Sequence, residues 1–263
     1  MKQICTDLTR EQDSLDELVS ALPPEDWENT TLCLDWTIKD EICHLAYFDY
    51  TARLAATDSE AFTQHLIEDF GQVKDMEEAT NITLARGRAM DIEGLLAWWR
   101  TERRLLNEAL AGLNPKDRLP WYGPPMSALS FATARLMETW AHGQDIYDTL
   151  KQKHPVSPGL KHIAHIGVTT FNWSFTNRGQ EAPDTPVYVS LTGPSGETWT
   201  WGDTAATQTI TGPAEDFCLV VTQRRHVDDT VLAVVGDTAR QWMLVAQAFA
   251  GPPDNGPPAG MFS

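Results

Sequence analysis

Apolar side chains recur at three- and four-residue spacing in four stretches of the first 150 residues. This is the period of a helix with one buried face. Asp7 or Thr9 is the candidate cap of the first helix, and Pro23 follows its end near Leu22. The pattern predicts long helices over residues 7–22, 37–56, 91–110 and 127–150. The polar stretch 58–90 contains only helical patches and is interpreted as an insertion that covers the other helices.

The pattern changes after residues 151–158, where Pro155 and Pro158 indicate an interdomain linker. A helix is predicted first, and short segments of alternating polarity then predict an antiparallel meander. The predicted elements are helices over 160–177, 214–223 and 239–249 and strands over 187–191, 198–201 and 207–211, and residues 231–235 form a short apolar segment. We therefore predict a helical domain over residues 1–150, a small α+β domain over 158–250 and a proline-rich tail, extended or loose, over 251–263.

Acidic residues outnumber basic ones by 37 to 20, which gives a net charge of −17. This charge argues against nucleic acid and against an anionic membrane as partners. The chain has four cysteines without a C-x-x-C pair, no apolar signal core at its start, and no apolar run of the ~18 residues that a membrane span needs. We expect a reduced, cytoplasmic protein, and the sequence does not fix its oligomeric state.

A carboxylate and an imidazole, Glu138 and His142, lie four residues apart in the fourth predicted helix and therefore on one face of it. His44, in the second predicted helix, is the best candidate for a third ligand of a divalent metal with an open coordination position. Taken alone, the pair could be a surface ion pair and His44 a core histidine. Asp145 is a candidate acceptor for a ligand's ring N–H, and Cys43 is interpreted as a small buried apolar residue.

The second predicted helix begins with residues that are typical of a helix N-terminus. Thr37, with Asp40 three residues later, resembles a capping box in which aspartate replaces glutamate. His44 follows about two turns into this helix, beside its apolar stripe.

Taken together, three sequence motifs of the chain resemble those of one known family. Trp36-Thr37-Ile38-Lys39-Asp40, then His44-Leu45, and later Glu138-x-x-x-His142 are similar to the mycothiol-dependent maleylpyruvate isomerase family of the DinB-like metal-binding superfamily. The resemblance implies an N-terminal DinB-like four-helix bundle that binds a divalent metal, zinc being the favoured ion, through His44, Glu138 and His142. It also implies a C-terminal α+β domain similar to sterol-carrier proteins.

The same resemblance implies an enzyme that uses a low-molecular-weight thiol such as mycothiol. The thiolate would add to an activated double bond of a small anionic substrate, the bond would rotate, and elimination would give the trans isomer. Thiol transfer without isomerisation fits the sequence equally well. A hydrolase that uses metal-bound water, or a metal-binding module without catalysis, remains the alternative.

Two arginine pairs, Arg86 with Arg88 and Arg224 with Arg225, are candidates for binding substrate carboxylates, because guanidinium groups bind carboxylates bidentately. The segment Val220-Val221-Thr222-Gln223-Arg224 resembles the family's C-terminal segment, whose final arginine contacts substrate. Ordinary salt bridges with the abundant acidic residues are the alternative for each arginine.

Overall fold

A computed structural model describes residues 1–33 and 35–262 of the chain. Leu34 and Ser263, the last residue of the predicted tail, lie outside the described residues. The chain divides into two compact units between His154 and Pro155, a point inside the predicted linker 151–158.

The first unit is helical. Four long helices, α1, α2, α5 and α6, pack against one another around its core, and no helix in the described parts of the chain has the length and hydropathy of a membrane span. The helices are α1 (Lys2–Ser20), α2 (Ile38–Thr57), α3 (Ser59–Phe70), α4 (Met76–Arg88), α5 (Ile92–Ala111) and α6 (Ala128–Thr149), with a 3₁₀ helix at Pro24–Glu28. A two-stranded hairpin, β1 (Arg118–Leu119) with β2 (Met126–Ser127), precedes α6.

Helix α1 begins five residues before the expected cap, and neither Asp7 nor Thr9 caps it. Asp7 is instead a buried residue inside the helix. Its carboxylate accepts hydrogen bonds from Arg10, one turn later, at 3.0 Å and from Gln3, one turn earlier, at 3.0 Å. Partners within the helix therefore satisfy the side chain that the sequence suggested as a cap.

The capping box predicted at the start of α2 is confirmed. The Asp40 backbone N–H donates to Thr37 Oγ1 at 3.2 Å, and the Thr37 N–H donates to Asp40 Oδ2 at 3.2 Å. Arg88, at the end of α4, donates two further hydrogen bonds to the Asp40 carboxylate, at 2.7 and 3.0 Å. One carboxylate thus fixes the beginning of α2 and attaches α4 to it.

Replacing Asp40 by alanine is expected to lower the free energy of unfolding by about 1–2 kcal/mol at neutral pH, because it removes both the cap and the ion pair. Burial alone would raise the pKa of Asp40, but hydrogen bonds from Arg88 and Thr37 outweigh it and hold this pKa below its usual value. A carboxyl whose folded pKa is depressed stabilises the fold above its unfolded pKa of about 3.9, and this contribution is lost as the pH falls through the folded pKa.

Denaturant titrations of wild type and Asp40→Ala from neutral to acidic pH measure this effect, and the difference should shrink at the acidic end. Glu108→Ala is the control, because it removes an exposed helical pair with Arg104 and should change stability by less than about 0.5 kcal/mol. A pH-independent difference would contradict the electrostatic explanation.

Residues 58–90 form two helices of the first unit, α3 and α4, rather than a separate cover. Helix α4 packs directly on α2, because Gly87 has no side chain and Cys43 of α2 lies where a Cβ of residue 87 would be. Phe62 and Leu84 bury their side chains completely. The weak helical pattern in the sequence reflects a narrow buried face on each of these two helices.

The described residues of the second unit combine four α-helices and a 3₁₀ helix at Val227–Asp229 with a four-stranded sheet of order β4-β3-β5-β6. Its elements are α7 (Leu160–Thr169), α8 (Phe171–Thr176), β3 (Val187–Thr192), β4 (Thr198–Trp201), β5 (Gln208–Pro213), α9 (Ala214–Val221), β6 (Ala233–Val235) and α10 (Asp237–Val245). The single helix expected over 160–177 is therefore two helices, which meet at Thr170.

The sheet is not the predicted meander. Strands β3 and β4 pair antiparallel, but β5 pairs parallel with β3 on the other edge of that strand. After β4 the chain therefore has to pass the beginning of β3. Gly202 allows this passage: its φ is +88°, and a Cβ there would lie 2.6 Å from the carbonyl oxygen of Val187.

The described residues of the tail, which was expected to be extended or loose, form no helix or strand and contact the rest of the second unit. Gln223 Nε2 donates to the Asp254 carbonyl at 2.6 Å, and the Gly260 N–H donates to Asp229 Oδ1 at 2.7 Å. The Arg225 guanidinium lies 3.6 Å from the centre of the Phe262 ring. Prolines prevent regular structure here, but polar anchors on the unit fix the path of the chain.

Candidate metal centre

Helices α2 and α6 bring the three predicted ligands together. His44 lies on α2, and Glu138 and His142 occupy one face of α6. Glu138 Oε2 is 3.3 Å from His142 Nε2 and 3.6 Å from His44 Nε2. The rings of the two histidines are 4.3 Å apart. One carboxylate oxygen and two imidazole nitrogens thus converge on one point.

These separations fit a small divalent cation. Zinc bonds of about 2.0–2.2 Å to nitrogen and oxygen place tetrahedral donors about 3.3–3.6 Å apart, close to the two distances found. Both distances are longer than a good hydrogen bond. His44 Nε2 is buried and has no hydrogen-bond partner among the described residues. A buried polar atom of this kind requires a partner, and a metal ion is one that its lone pair can bind.

The protonation states favour the same conclusion. Burial, together with the nearby charge of His142, lowers the pKa of His44 to about 3, so its imidazole is neutral at physiological pH. Burial would raise the pKa of Glu138, but interactions with His142 and His44 outweigh it and hold this pKa well below its usual value. A neutral imidazole and an ionised carboxylate are the ligand forms that zinc binds, and His44 and Glu138 are in these forms. Burial would lower the pKa of His142, but interactions with Cys33, Glu138 and Glu41 outweigh it and hold this pKa well above its usual value, so a metal at this ligand has to displace a proton.

Glu41 orients His142, a role that sequence reasoning missed. Its Oε2 is 2.7 Å from His142 Nδ1, and its Oε1 accepts a hydrogen bond from Thr31 at 2.6 Å. Asp145, the acceptor expected from the sequence, is 3.9 Å from the same nitrogen, beyond hydrogen-bond distance. A carboxylate on Nδ1 directs Nε2 towards Glu138, as in most histidine metal sites.

Aromatic side chains enclose the two histidines. The Trp36 ring stacks on His142, with 5.9 Å between ring centres, and lies 5.1 Å from His44. Phe48, one helical turn after His44, lies 4.6 Å from its ring. Glu138 nevertheless keeps 27% of its side chain exposed and His44 keeps 14%, so one side of the group remains accessible.

Cys33 and Cys43, the two cysteines nearest to His44 in the sequence, differ in their burial and in their surroundings. Cys43 is fully buried against Gly87, and burial raises the pKa of its thiol to about 12, which agrees with the interpretation of a small apolar residue. Cys33 is half-buried, and its thiol belongs to a group with Glu41, His142 and Asp145 whose ligand atoms lie within 4.8 Å of one another. Nothing in the spacing of Cys33 from the other three residues pointed to this group.

The candidate arginines have internal contacts in their own units. In the first unit, Arg88 pairs bidentately with Asp40, and the Arg86 guanidinium lies 4.3 Å from the centre of the Trp98 ring. In the second unit, Arg224 donates to the Thr222 carbonyl at 2.7 Å, and Arg225 donates to the Arg224 carbonyl at 2.7 Å. Substrate binding by these four residues stays a prediction.

Comparison with known families gives two matches. A family model described as the mycothiol maleylpyruvate isomerase N-terminal domain matches residues 8–147. A second model, described as wyosine base formation, matches residues 183–234. The first match contains all three candidate ligands.

Relatives and solved structures extend the comparison to nearly the whole chain. Two proteins of Mycobacterium tuberculosis, from strains CDC 1551 and H37Rv and both described as uncharacterized, are each 43% identical over 250 residues, which is 95% of this chain and 96% of the relative. A crystal structure of a histidine-to-alanine mutant of the mycothiol-dependent maleylpyruvate isomerase has a TM-score of 0.55 at 15% identity, covering 96% of this chain and 95% of that one. Another crystal structure of the mycothiol-dependent maleylpyruvate isomerase has a TM-score of 0.54 at 16% identity, covering 85% and 89%. These similarities confirm the predicted fold class.

Proposed function

The chain belongs to the family defined by the mycothiol maleylpyruvate isomerase N-terminal domain, and from this membership we propose that it is a metal-dependent enzyme using a low-molecular-weight thiol such as mycothiol. Its substrate would be a small anion, and its reaction an isomerisation or a transfer of the thiol. Zinc is the ion that we propose.

The convergence of His44, Glu138 and His142 carries this proposal. Three protein ligands leave one coordination position of a tetrahedral ion open, which is the arrangement of catalytic zinc sites. Two neutral imidazoles and one carboxylate leave the bound ion with a formal charge of about +1, which favours an anionic fourth ligand. The exposed edge of Glu138 gives such a ligand access.

The chemistry of a thiol-dependent isomerase suits these residues. A divalent metal in such a site deprotonates a thiol that coordinates it. Glu41 keeps His142 in one orientation, and Trp36 and Phe48 exclude water from the two rings. When bound, the thiolate would supply a nucleophile for reversible addition to a substrate double bond, which allows rotation about the remaining single bond. The same thiolate would be regenerated, so no oxidant or reductant would be consumed.

Arg224 and Arg225 are our first choice for binding the substrate carboxylate. The Asp40 carboxylate already occupies two donors of Arg88, whereas Arg224 ends the segment 220–224 that resembles the substrate-contacting segment of the family. In a chain of net charge −17, a local cationic group is needed to hold an anion, because charges beyond about 8 Å are largely screened at physiological salt.

The test is calorimetric titration of mycothiol into zinc-loaded and chelator-treated protein. We expect stoichiometric binding to the zinc-loaded form and at least about a tenfold loss of affinity after zinc removal, because the thiolate would lose its coordinating ion. Equal binding to both forms would contradict metal-dependent thiol use. Stoichiometric zinc without any thiol binding would instead favour a hydrolase or a metal-binding module.

Replacing Arg224 or Arg225 by alanine is expected to weaken binding of an anionic substrate analogue such as maleate about 10- to 100-fold, the range for a lost charge-assisted hydrogen bond. Arg104→Ala is the control, because Arg104 forms an exposed pair with Glu108. Unchanged maleate affinity in both variants would remove these arginines from the site.

A further inference from the structure

His142 presents its two ring nitrogens to two different groups of donors. Nε2 faces Glu138 and His44, the group described above. Nδ1 faces Glu41 at 2.7 Å and Asp145 at 3.9 Å. The Cys33 thiol completes this second group, in which the four ligand atoms all lie within 4.8 Å of one another.

The second group has the composition of a soft metal site. It offers one sulfur, one imidazole nitrogen and two carboxylate oxygens, and thiolate ligands select zinc and similar ions. Four protein ligands close a tetrahedral shell, whereas three leave it open. Zinc bonds of about 2.0–2.3 Å place tetrahedral donors about 3.3–3.6 Å apart, so side-chain shifts of roughly 1 Å would close the group around an ion.

Its surroundings hold the donors in place. Glu41 is fully buried, and Asp145 and His142 are buried on neighbouring turns of α6. Two backbone hydrogen bonds lie beside Cys33: the Trp36 N–H donates to the Cys33 carbonyl at 2.8 Å, and the Thr31 N–H donates to the Trp36 carbonyl at 2.7 Å. Two buried carboxylates and a thiol thus converge on one imidazole, and a divalent cation would offset the charge of this set.

We propose that Cys33, Glu41, His142 and Asp145 form a second metal site, closed by four protein ligands and selective for zinc or a similarly soft divalent ion. Binding replaces the proton of the Cys33 thiol and the proton on His142 Nδ1, and both protons are released to solvent. His142 then lies as an imidazolate between this ion and the site formed with His44 and Glu138. The second site does not depend on the thiol-using reaction proposed above.

Cobalt titration of the chelator-treated full chain separates the two sites. For wild type we expect two cobalt ions per chain and a near-ultraviolet sulfur-to-cobalt charge-transfer band. Cys33→Ser should bind one ion and lack the band, and His44→Ala should bind one ion and keep it. Cys5→Ser, which changes a buried thiol on α1, is the matched control and should behave like wild type.

One cobalt ion per wild-type chain without a sulfur band overturns the second site. If that single ion is then lost in His44→Ala, the centre of the proposed function stands without the second site. X-ray absorption of the zinc-loaded wild type gives a readout that needs no variant: a sulfur shell at about 2.3 Å with one sulfur for every two zinc ions supports the site, and a shell of only nitrogen and oxygen contradicts it.

Discussion

Replacing His142 by alanine is expected to abolish stoichiometric binding of a divalent metal while the chain remains folded. The substitution removes one of only three ligands at the centre with His44 and Glu138. Removing a residue that hydrogen-bonds a metal ligand typically lowers metal affinity about 10- to 100-fold, and removing the ligand itself should lower it further. Because His142 also belongs to the group with Cys33, no ion should remain at either place.

Some loss of stability should accompany this change. Glu41 is completely buried, and His142→Ala removes its 2.7 Å contact, which leaves the Thr31 hydrogen bond. A buried polar group that loses a hydrogen-bond partner lowers the free energy of unfolding by about 1–3 kcal/mol, which a folded domain can tolerate. Circular dichroism should therefore show unchanged helix content with a lower midpoint of unfolding.

The measurement is metal content by mass spectrometry after dialysis, in wild type, His142→Ala and a matched histidine variant. His65→Ala serves as the match, because His65 lies in the same unit but contacts Tyr47 and Asp69 instead of the candidate ligands. His65→Ala should keep the full metal content. Full metal content in His142→Ala would show that the site is misplaced.

The long helices could be predicted because local patterns specify them. The buried faces of α1 and α5 repeat with the helical period, and the capping box fixes the first residue of α2. The convergence of Glu138 with His142 follows from the same geometry, since residues four apart share a helix face. That these side chains bind a metal stays a prediction.

Contacts that depend on packing between elements could not be predicted in this way. Helix α2 carries several acidic residues, and only the packing of α2 against α6 determines that Glu41, and not Asp145, reaches the Nδ1 of His142. Glu41 lies three residues before His44 and thus near its face, which is the signal that could have identified it.

The sheet of the second unit shows the same limit. Alternating polarity located the strands β3, β4 and β5 but not their neighbours. In a meander β5 would pair antiparallel with β4, and in the structure it pairs parallel with β3. The strand runs in the same direction in both arrangements, so its sequence pattern does not distinguish them. Which strand β5 pairs with depends on the path of the backbone at Gly202, and the alternation of polar and apolar residues gives no information about this path.

A buried ion pair across the bundle leads to the second large effect. Arg135 of α6 donates to Asp49 Oδ1 of α2 at 3.0 and 3.2 Å, and both side chains are almost inaccessible. Asp49 Oδ2 accepts from Trp99 Nε1 of α5 at 3.2 Å and from Gln12 Nε2 of α1 at 3.4 Å. One carboxylate therefore connects all four long helices.

Replacing Arg135 by methionine is expected to lower the free energy of unfolding by about 3–5 kcal/mol at neutral pH, since it leaves the Asp49 carboxylate buried without its cation. Burial already raises the pKa of Asp49, and loss of Arg135 should raise it further. A carboxyl whose folded pKa exceeds its unfolded value binds more protons in the folded state. The variant should therefore lose stability as the pH rises from about 4 towards the folded pKa.

The double variant Asp49→Asn with Arg135→Met separates the missing cation from the missing packing. Asparagine keeps an oxygen that can accept from Trp99 but carries no charge, so it removes the source of the penalty. We expect the double variant to be more stable than Arg135→Met alone and its stability to vary little with pH near neutrality. Urea titrations of the wild type, both single variants and the double variant complete the cycle. If the destabilisations of the two single variants add up to that of the double variant, the destabilisation comes from lost contacts, and the bundle does not depend on charge compensation at Asp49.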